Sequence, residues 1–248
     1  MISDPAAPLP TPPAGEAGRT DGPPEPGAAV LADAWAAVAG DSPAARALGA
    51  ELVARWSEPH RHYHTRTHLA AVLAAVDRLT DGPGGAGADR AAVRLAAWFH
   101  DAVYDGRPGW DEERSAQLAQ SRLPACGVPA GRVAEVARLV RLTAAHDTLR
   151  PGDRNGEVLC DADLSILGSP AYGDYARAIR REYSHVPDAA FAAGRSEVLR
   201  RLLATPALYR TPRARHLWEE RARANMTGEL ARLRAALAAA QPARDETP

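Results

Sequence analysis

An all-α fold is what this 248-residue sequence predicts, and three observations carry the prediction. Apolar residues recur three and four apart, the period of a helix that buries one face. No segment alternates apolar with polar residues as a half-buried strand would, and β-branched residues do not cluster. Proline, glycine and serine fall between the periodic runs, where helices begin and end.

Taken in order, Val30, Leu31, Trp35 and Val38 mark a first helix. Ser42-Pro43 starts a second, with Ser as N-cap and Pro in the first turn. Leu48, Leu52, Val53 and Trp56 share its face, and Pro59 ends it. Leu69, Val72, Leu73, Val76 and Leu79 form a third stripe that runs into a glycine-rich loop over 81–87. Val93, Ala96, Ala97 and Phe99 lead a fourth helix into His100, and Asp163 begins another apolar stretch. Further helices fit 111–123, 130–145, 170–184, 187–204 and 211–238, with Pro187 and Thr211-Pro212 at two of the starts. The sum is a bundle of roughly eight or nine helices in one domain over 29–240, with Trp56, Trp98 and Trp218 in its core.

Residues 1–28 are dense in Pro, Gly and Ala and hold almost no large apolar side chain. Such a segment cannot bury enough surface to offset its ordering entropy, so a disordered leader is expected, and a disordered tail over 241–248 for the same reason. The leader lacks the basic start and apolar run of a signal peptide, and no stretch is apolar enough to span a bilayer. Cys126 and Cys160 form neither a CxxC pair nor a zinc-ribbon spacing. A cytoplasmic protein fits best. With a net charge of -1, no overall field favours a nucleic acid polymer or a membrane. All 30 basic residues are Arg, which excludes lysine Schiff bases and Walker-type phosphate loops.

Against this apolar background the chain carries Tyr63-His64-Thr65-Arg66-Thr67-His68, then His100-Asp101, Asp105, His146 and Asp161-Ala162-Asp163. Such groups are costly in a helical core unless something pairs with them, and a cation is the simplest common partner. His64 and His68 are four apart and on a helix would share a face. His100 and Asp101 end an apolar helix segment, and with an Asp from 161 or 163 two imidazoles and two carboxylates make a mixed nitrogen and oxygen set suited to a divalent metal. No cysteine lies nearby to make a thiolate zinc site. Such a metal acidifies water and polarises a phosphoryl oxygen, which is hydrolytic chemistry.

His68, His100-Asp101 and Asp163 resemble the His…His-Asp…Asp signature of the HD-domain metal-dependent phosphohydrolases, an all-helical superfamily. Tyr63-His64-Thr65-Arg66-Thr67-His68 is similar to a Tyr-His-Asn-x-x-His motif of cyclic-nucleotide phosphodiesterases, which implies His64 as general acid and His68 as ligand. Ala162-Asp163-Leu164-Ser165 resembles that family's Ala-Asp-Leu-Ser, implying Asp163 as ligand and leaving Asp161 in a supporting place. His100-Asp101-Ala102-Val103-Tyr104-Asp105 is similar to the His-Asp-x-x-Glu-Asp motif of guanosine-tetraphosphate hydrolases, which implies that Asp105 activates or orients water. Tyr104 stands where that motif has Glu. Over about 45–235, from YHTRTHL through AAWFHDAVYD, DADLSILG and YARAIRREY to ERARANM, the pattern resembles a bacterial family of predicted HD phosphohydrolases.

The resemblance implies one divalent ion on His68, His100, Asp101 and Asp163, with Mn, Mg, Fe, Co, Ni and Zn all compatible. It implies a small phosphoester, of nucleotide type, as substrate. His146 could contact substrate or a second metal, and Arg180 and Arg195 could bind phosphate through their planar forks. Glu113 could hydrogen-bond a ligand or metal-bound water. An HD-fold di-iron oxygenase and a non-catalytic nucleotide sensor are the rival readings, and oligomerisation is left open.

Overall fold

Helix-compatible periodicity and local capping together set the architecture. The computed structural model describes residues 26–81, 87–145 and 148–239. Most of the expected leader, its 1–25, the loop interior 82–86, His146 and the tail expected over 241–248 lie outside the described residues. In chain order the helices are α1 Ala28–Ala39, α2 Pro43–Arg55, α3 Arg66–Thr80, α4 Arg90–Phe99 and α5 Trp110–Arg122. After them come α6 Ala130–Leu142, α7 Arg154–Asp163, α8 Tyr172–Glu182, α9 Asp188–Ala204, the single turn α10 Pro212–Ala214 and α11 Glu220–Ala239. Leu123–Cys126 and Leu164–Gly168 are 3-10 turns, and a π-helical turn over Arg215–Glu219 joins α10 to α11. The chain is all-α, with no strand among the described residues. Among the described residues, ten helices of ten or more residues stand against the roughly eight or nine expected from periodicity.

The element periodicity did not announce is α7. Its polar first turn hides the pattern, and its start is set by Asp153, whose side chain accepts from the backbone N–H of Gly156 at 3.0 Å. Asp163 therefore ends a helix rather than beginning an apolar stretch. Ser42 caps α2 as predicted, accepting from Ala45 N–H at 3.1 Å, and at the expected start of α10 Thr211 accepts from Ala214 N–H at 3.1 Å.

Seven of the ten residues of α4 are buried, from Ala92 to Phe99, and α1, α3, α5, α6 and α7 all pack against it. A helix covered on most sides is the natural core of a bundle. Trp35 of α1 meets Trp98 edge-on, with ring centroids 5.3 Å apart, and its indole N–H donates to Ala45 O at 2.7 Å. At Gly49 a Cβ would collide with the Trp35 ring, so this contact requires glycine there. Trp56, fully buried, donates its indole N–H to Trp98 O at 3.1 Å. With Trp218 also buried, the three expected core tryptophans are all in place. The core thus anchors the C-terminal end of α4, where His100 and Asp101 follow. No helix among the described residues is long and apolar enough to cross a membrane.

Candidate metal centre

The approach to α3 is a turn held from both sides. One carboxylate oxygen of Glu182, at the end of α8, accepts the backbone N–H groups of His62, Tyr63 and His64 at 2.8, 2.7 and 2.9 Å. The buried Arg61 guanidinium donates to the carbonyls of His64, Asp101 and Ala102 at 3.2, 2.7 and 3.3 Å, and pairs with Glu58. These bonds tie the turn to the segment that follows α4. Thr65 then caps α3 by accepting from Thr67 N–H. His64 consequently lies in the turn before the helix, not on the helix with His68. The turn still brings their rings together, with centroids 5.6 Å apart.

Three elements meet at the centre. His68 comes from the first turn of α3, His100 and Asp101 from the end of α4, and Asp163 from the end of α7. The His68 and His100 Nε2 atoms are 3.2 Å apart, and both rings are buried. Asp163 Oδ1 lies 3.3 Å from His68 Nε2 and 3.6 Å from His100 Nε2. Asp101 Oδ2 is 3.2 Å from His100 Nε2 and 3.8 Å from His68 Nε2. His68, His100 and Asp163 each offer one donor atom, all within 4.8 Å of one another. His100 Nδ1–H donates to Ala97 O at 2.8 Å, which fixes the ring and leaves Nε2 as the atom that faces the carboxylates. Two imidazole nitrogens facing each other beside two carboxylates is a donor set that fits a divalent cation. Trp56 packs beneath, its ring centroid 5.4 Å from that of His100.

The electrostatics agree. Burial alone would lower His100, yet Asp101 and Asp163 outweigh it and raise its pKa well above the ordinary imidazole value. Burial dominates at His68 and lowers it despite Asp163. Burial opposes ionisation of Asp163 and Asp101, but the histidines hold both carboxyls below their usual range.

His64 sits beside this group, its Nε2 3.9 Å from Asp101 Oδ2. Its Nδ1 bonds the second Glu182 oxygen at 2.8 Å, and Tyr104 stacks on its ring at 4.2 Å. Burial pulls His64 down, but the Glu182 hydrogen bond and Asp101 raise it overall. The Tyr104 hydroxyl donates to the same Glu182 oxygen at 3.0 Å. Glu182, Arg61 and the role of Tyr104 are absent from the sequence reading. Glu182 lies inside a segment that resembles the HD pattern, but nothing local signals a bond 118 residues away.

Of the paired aspartates, Asp163 faces the imidazoles. Asp161 is turned away: its two oxygens accept the backbone N–H groups of Arg210 and Thr211, each at 2.7 Å. Burial pushes Asp161 up to about 6, those two N–H bonds opposing it. It pins the chain entering α10.

Four expected site residues are committed elsewhere. Asp105 pairs with Arg114 at 2.6 Å, both about half exposed, because the turn after Val103 directs it outward. Glu113 pairs with Arg141 at 2.6 Å on the surface and accepts from Gln117. Arg180 is consumed by Asp188, the carbonyls of Tyr183 and Val186, and the Phe191 ring. Arg195 is locked against Glu229 and the Tyr175 hydroxyl at 2.9 and 3.1 Å. Neither arginine has a fork left for phosphate. His146 lies outside the described residues.

No family model, curated protein or solved structure matches this chain. Its chemistry must be read from the centre and from the space beside it. That space is a cleft of about 1050 Å³, with His68 and Asp163 in its wall. Residues of α3, α8, the Leu164–Gly168 turn and the helix through Trp218 line the remainder. Tyr63 also lines it, and its buried hydroxyl has no hydrogen-bond partner among the described residues.

Proposed function

We propose that this chain is a metal-dependent phosphohydrolase of the HD-domain superfamily, acting on a small phosphoester of nucleotide type. The single observation that carries the reading is the meeting of His68, His100 and Asp163 at the wall of a large cleft, with Asp101 against the His100 imidazole. The sequence likeness supplies the order His, His-Asp, Asp, and the geometry supplies three elements that bring those residues together.

A divalent ion bound by these four residues would acidify water and polarise the phosphoryl group. The rest of the chemistry belongs to the chain. His64 donates Nδ1–H to Glu182, so in its protonated form the remaining Nε2–H is free for a leaving oxygen. Glu182 favours that protonated form and fixes the ring, while Tyr104 restricts its tilt by stacking. Arg61 locks the turn that carries His64 to the backbone of Asp101. Asp105, held by Arg114, has no part in this reading.

The test uses purified protein loaded in turn with Mn, Mg, Co, Ni, Zn and Fe(II) against a panel of nucleotides and other phosphoesters. Metal-dependent release of phosphate or nucleoside is expected, lost in His68→Ala. His64→Ala should lower kcat by roughly 10²–10⁴-fold while metal content stays unchanged. Equal behaviour of loaded and stripped protein across the panel would sink the reading. The outward position of Asp105 favours one alternative, a nucleotide-sensing module, which the same panel would reveal as binding without turnover.

A further inference from the structure

The cleft beside the centre is much larger than one phosphate requires, and its charges are sorted. Five arginines line it, in a chain whose net charge is -1. Arg61 is paired with Glu58, and Arg177 with Asp174. Arg78, Arg181 and Arg221 are exposed, and their side chains form no hydrogen bond or ion pair among the described residues. The acids in the same wall are Asp163, at the centre, and Asp174, already paired. Three uncommitted cations from three helices therefore face one space, which focuses a positive field inside it.

Their positions give the cleft a direction. Arg181 immediately precedes Glu182, whose carboxylate holds the backbone of His62, Tyr63 and His64, so it stands at the end where the centre lies. Arg78 is ten residues beyond His68 on the same helix, about 15 Å along the axis at 1.5 Å per residue. Between them the α3 wall presents Thr67, Ala71 and Ala74, small side chains that leave the path open. Ile166, Leu217 and Trp218 line the cleft from other elements and offer apolar contact to the middle of a ligand. Arg221, one turn after Trp218, is the third cation of the lining.

We infer that this cleft takes an extended ligand with two anionic ends, its phosphoester beside His68 and Asp163 and a second anion on Arg78. This deepens the phosphohydrolase reading and rests on it for the identity of the first end. The second end is a phosphate or a carboxylate, since a guanidinium fork accepts either. A short monoester would leave Arg78 unused.

Binding is tested by calorimetry on the full chain, with phosphonates that cannot be hydrolysed. Decanediyl bisphosphonate should bind about tenfold more tightly than decylphosphonate, the scale of one charge-assisted bond. Propanediyl bisphosphonate, too short to reach Arg78, should gain nothing over propylphosphonate. Arg78→Ala should abolish the decanediyl gain, and Arg181→Ala should weaken both long ligands alike. Arg201→Ala, an exposed arginine outside the cleft, should change neither. A carboxylate-ended analogue of the long ligand shows which second anion is preferred. No gain from the second anion, a gain that ignores chain length, or one that survives Arg78→Ala overturns the inference. An Arg78-dependent gain in protein that turns over no phosphoester would instead fault the hydrolase reading alone.

Discussion

At the scale of single residues, Glu182 organises more of the centre than any residue apart from His68, His100, Asp101 and Asp163. One of its oxygens takes three backbone N–H groups and the other takes His64 and Tyr104. Burial would raise its pKa, but the His64 hydrogen bond and the backbone donors bring it down to about 2, from an ordinary 4.5. A carboxyl depressed in the folded state stabilises the fold above its unfolded pKa and loses that contribution as pH falls through the folded one. The contribution is fully present above about pH 4.5 and fades toward pH 2, and is on the order of 3 kcal/mol. Urea melts of the protein and of Glu182→Gln should therefore differ most near pH 6 and converge only as pH falls to about 2. A difference that holds constant across that range would show that Glu182 acts through shape rather than charge.

At the scale of elements, helix α7 places two aspartates two residues apart in unlike roles. Asp163 ends the helix among imidazoles, while Asp161 faces the chain entering α10 and holds two backbone donors. Asp161→Ala strands those donors in a buried place, which costs about 2–4 kcal/mol. Asp161→Ala should thus lower the urea midpoint yet keep the metal stoichiometry, whereas Asp163→Ala should lose metal. Elemental analysis that found both variants metal-free would return Asp161 to the centre. The same helix shows what the sequence could and could not convey. The stripes of α3 and α4 and the caps Ser42 and Thr211 are local patterns, and they were legible. Helix α7 was not, because its first turn is polar and its apolar residues are too few to set a period. Asp163 was legible from its likeness to Ala-Asp-Leu-Ser, whereas Glu182 and Arg61 act on backbone far away in sequence and leave no local mark. Asp105, Arg180 and Arg195 have residue types suited to the chemistry, but each found a nearer partner.

At the scale of the whole molecule, the centre joins parts of the chain that lie far apart in sequence. His68 and Asp163 are separated by 95 positions, and α3, α4 and α7 pack together through their apolar faces while their polar ends meet at one point. Without a cation, two buried imidazoles and two carboxylates must balance their own desolvation. A bound ion relieves that cost only in the folded chain, so binding is linked to stability. At a free metal concentration one hundred times Kd, the linkage is worth about 2.7 kcal/mol. For a chain of this size each kcal/mol moves Tm by about 2–4 °C, so the expected rise is roughly 5–10 °C. Calorimetric scans of chelator-stripped and metal-supplemented protein should show this rise, and His68→Ala should abolish it without preventing folding at lower temperature. If the rise survived in His68→Ala, the stabilising ion would be bound elsewhere, and the four residues would owe their meeting to hydrogen bonds among themselves.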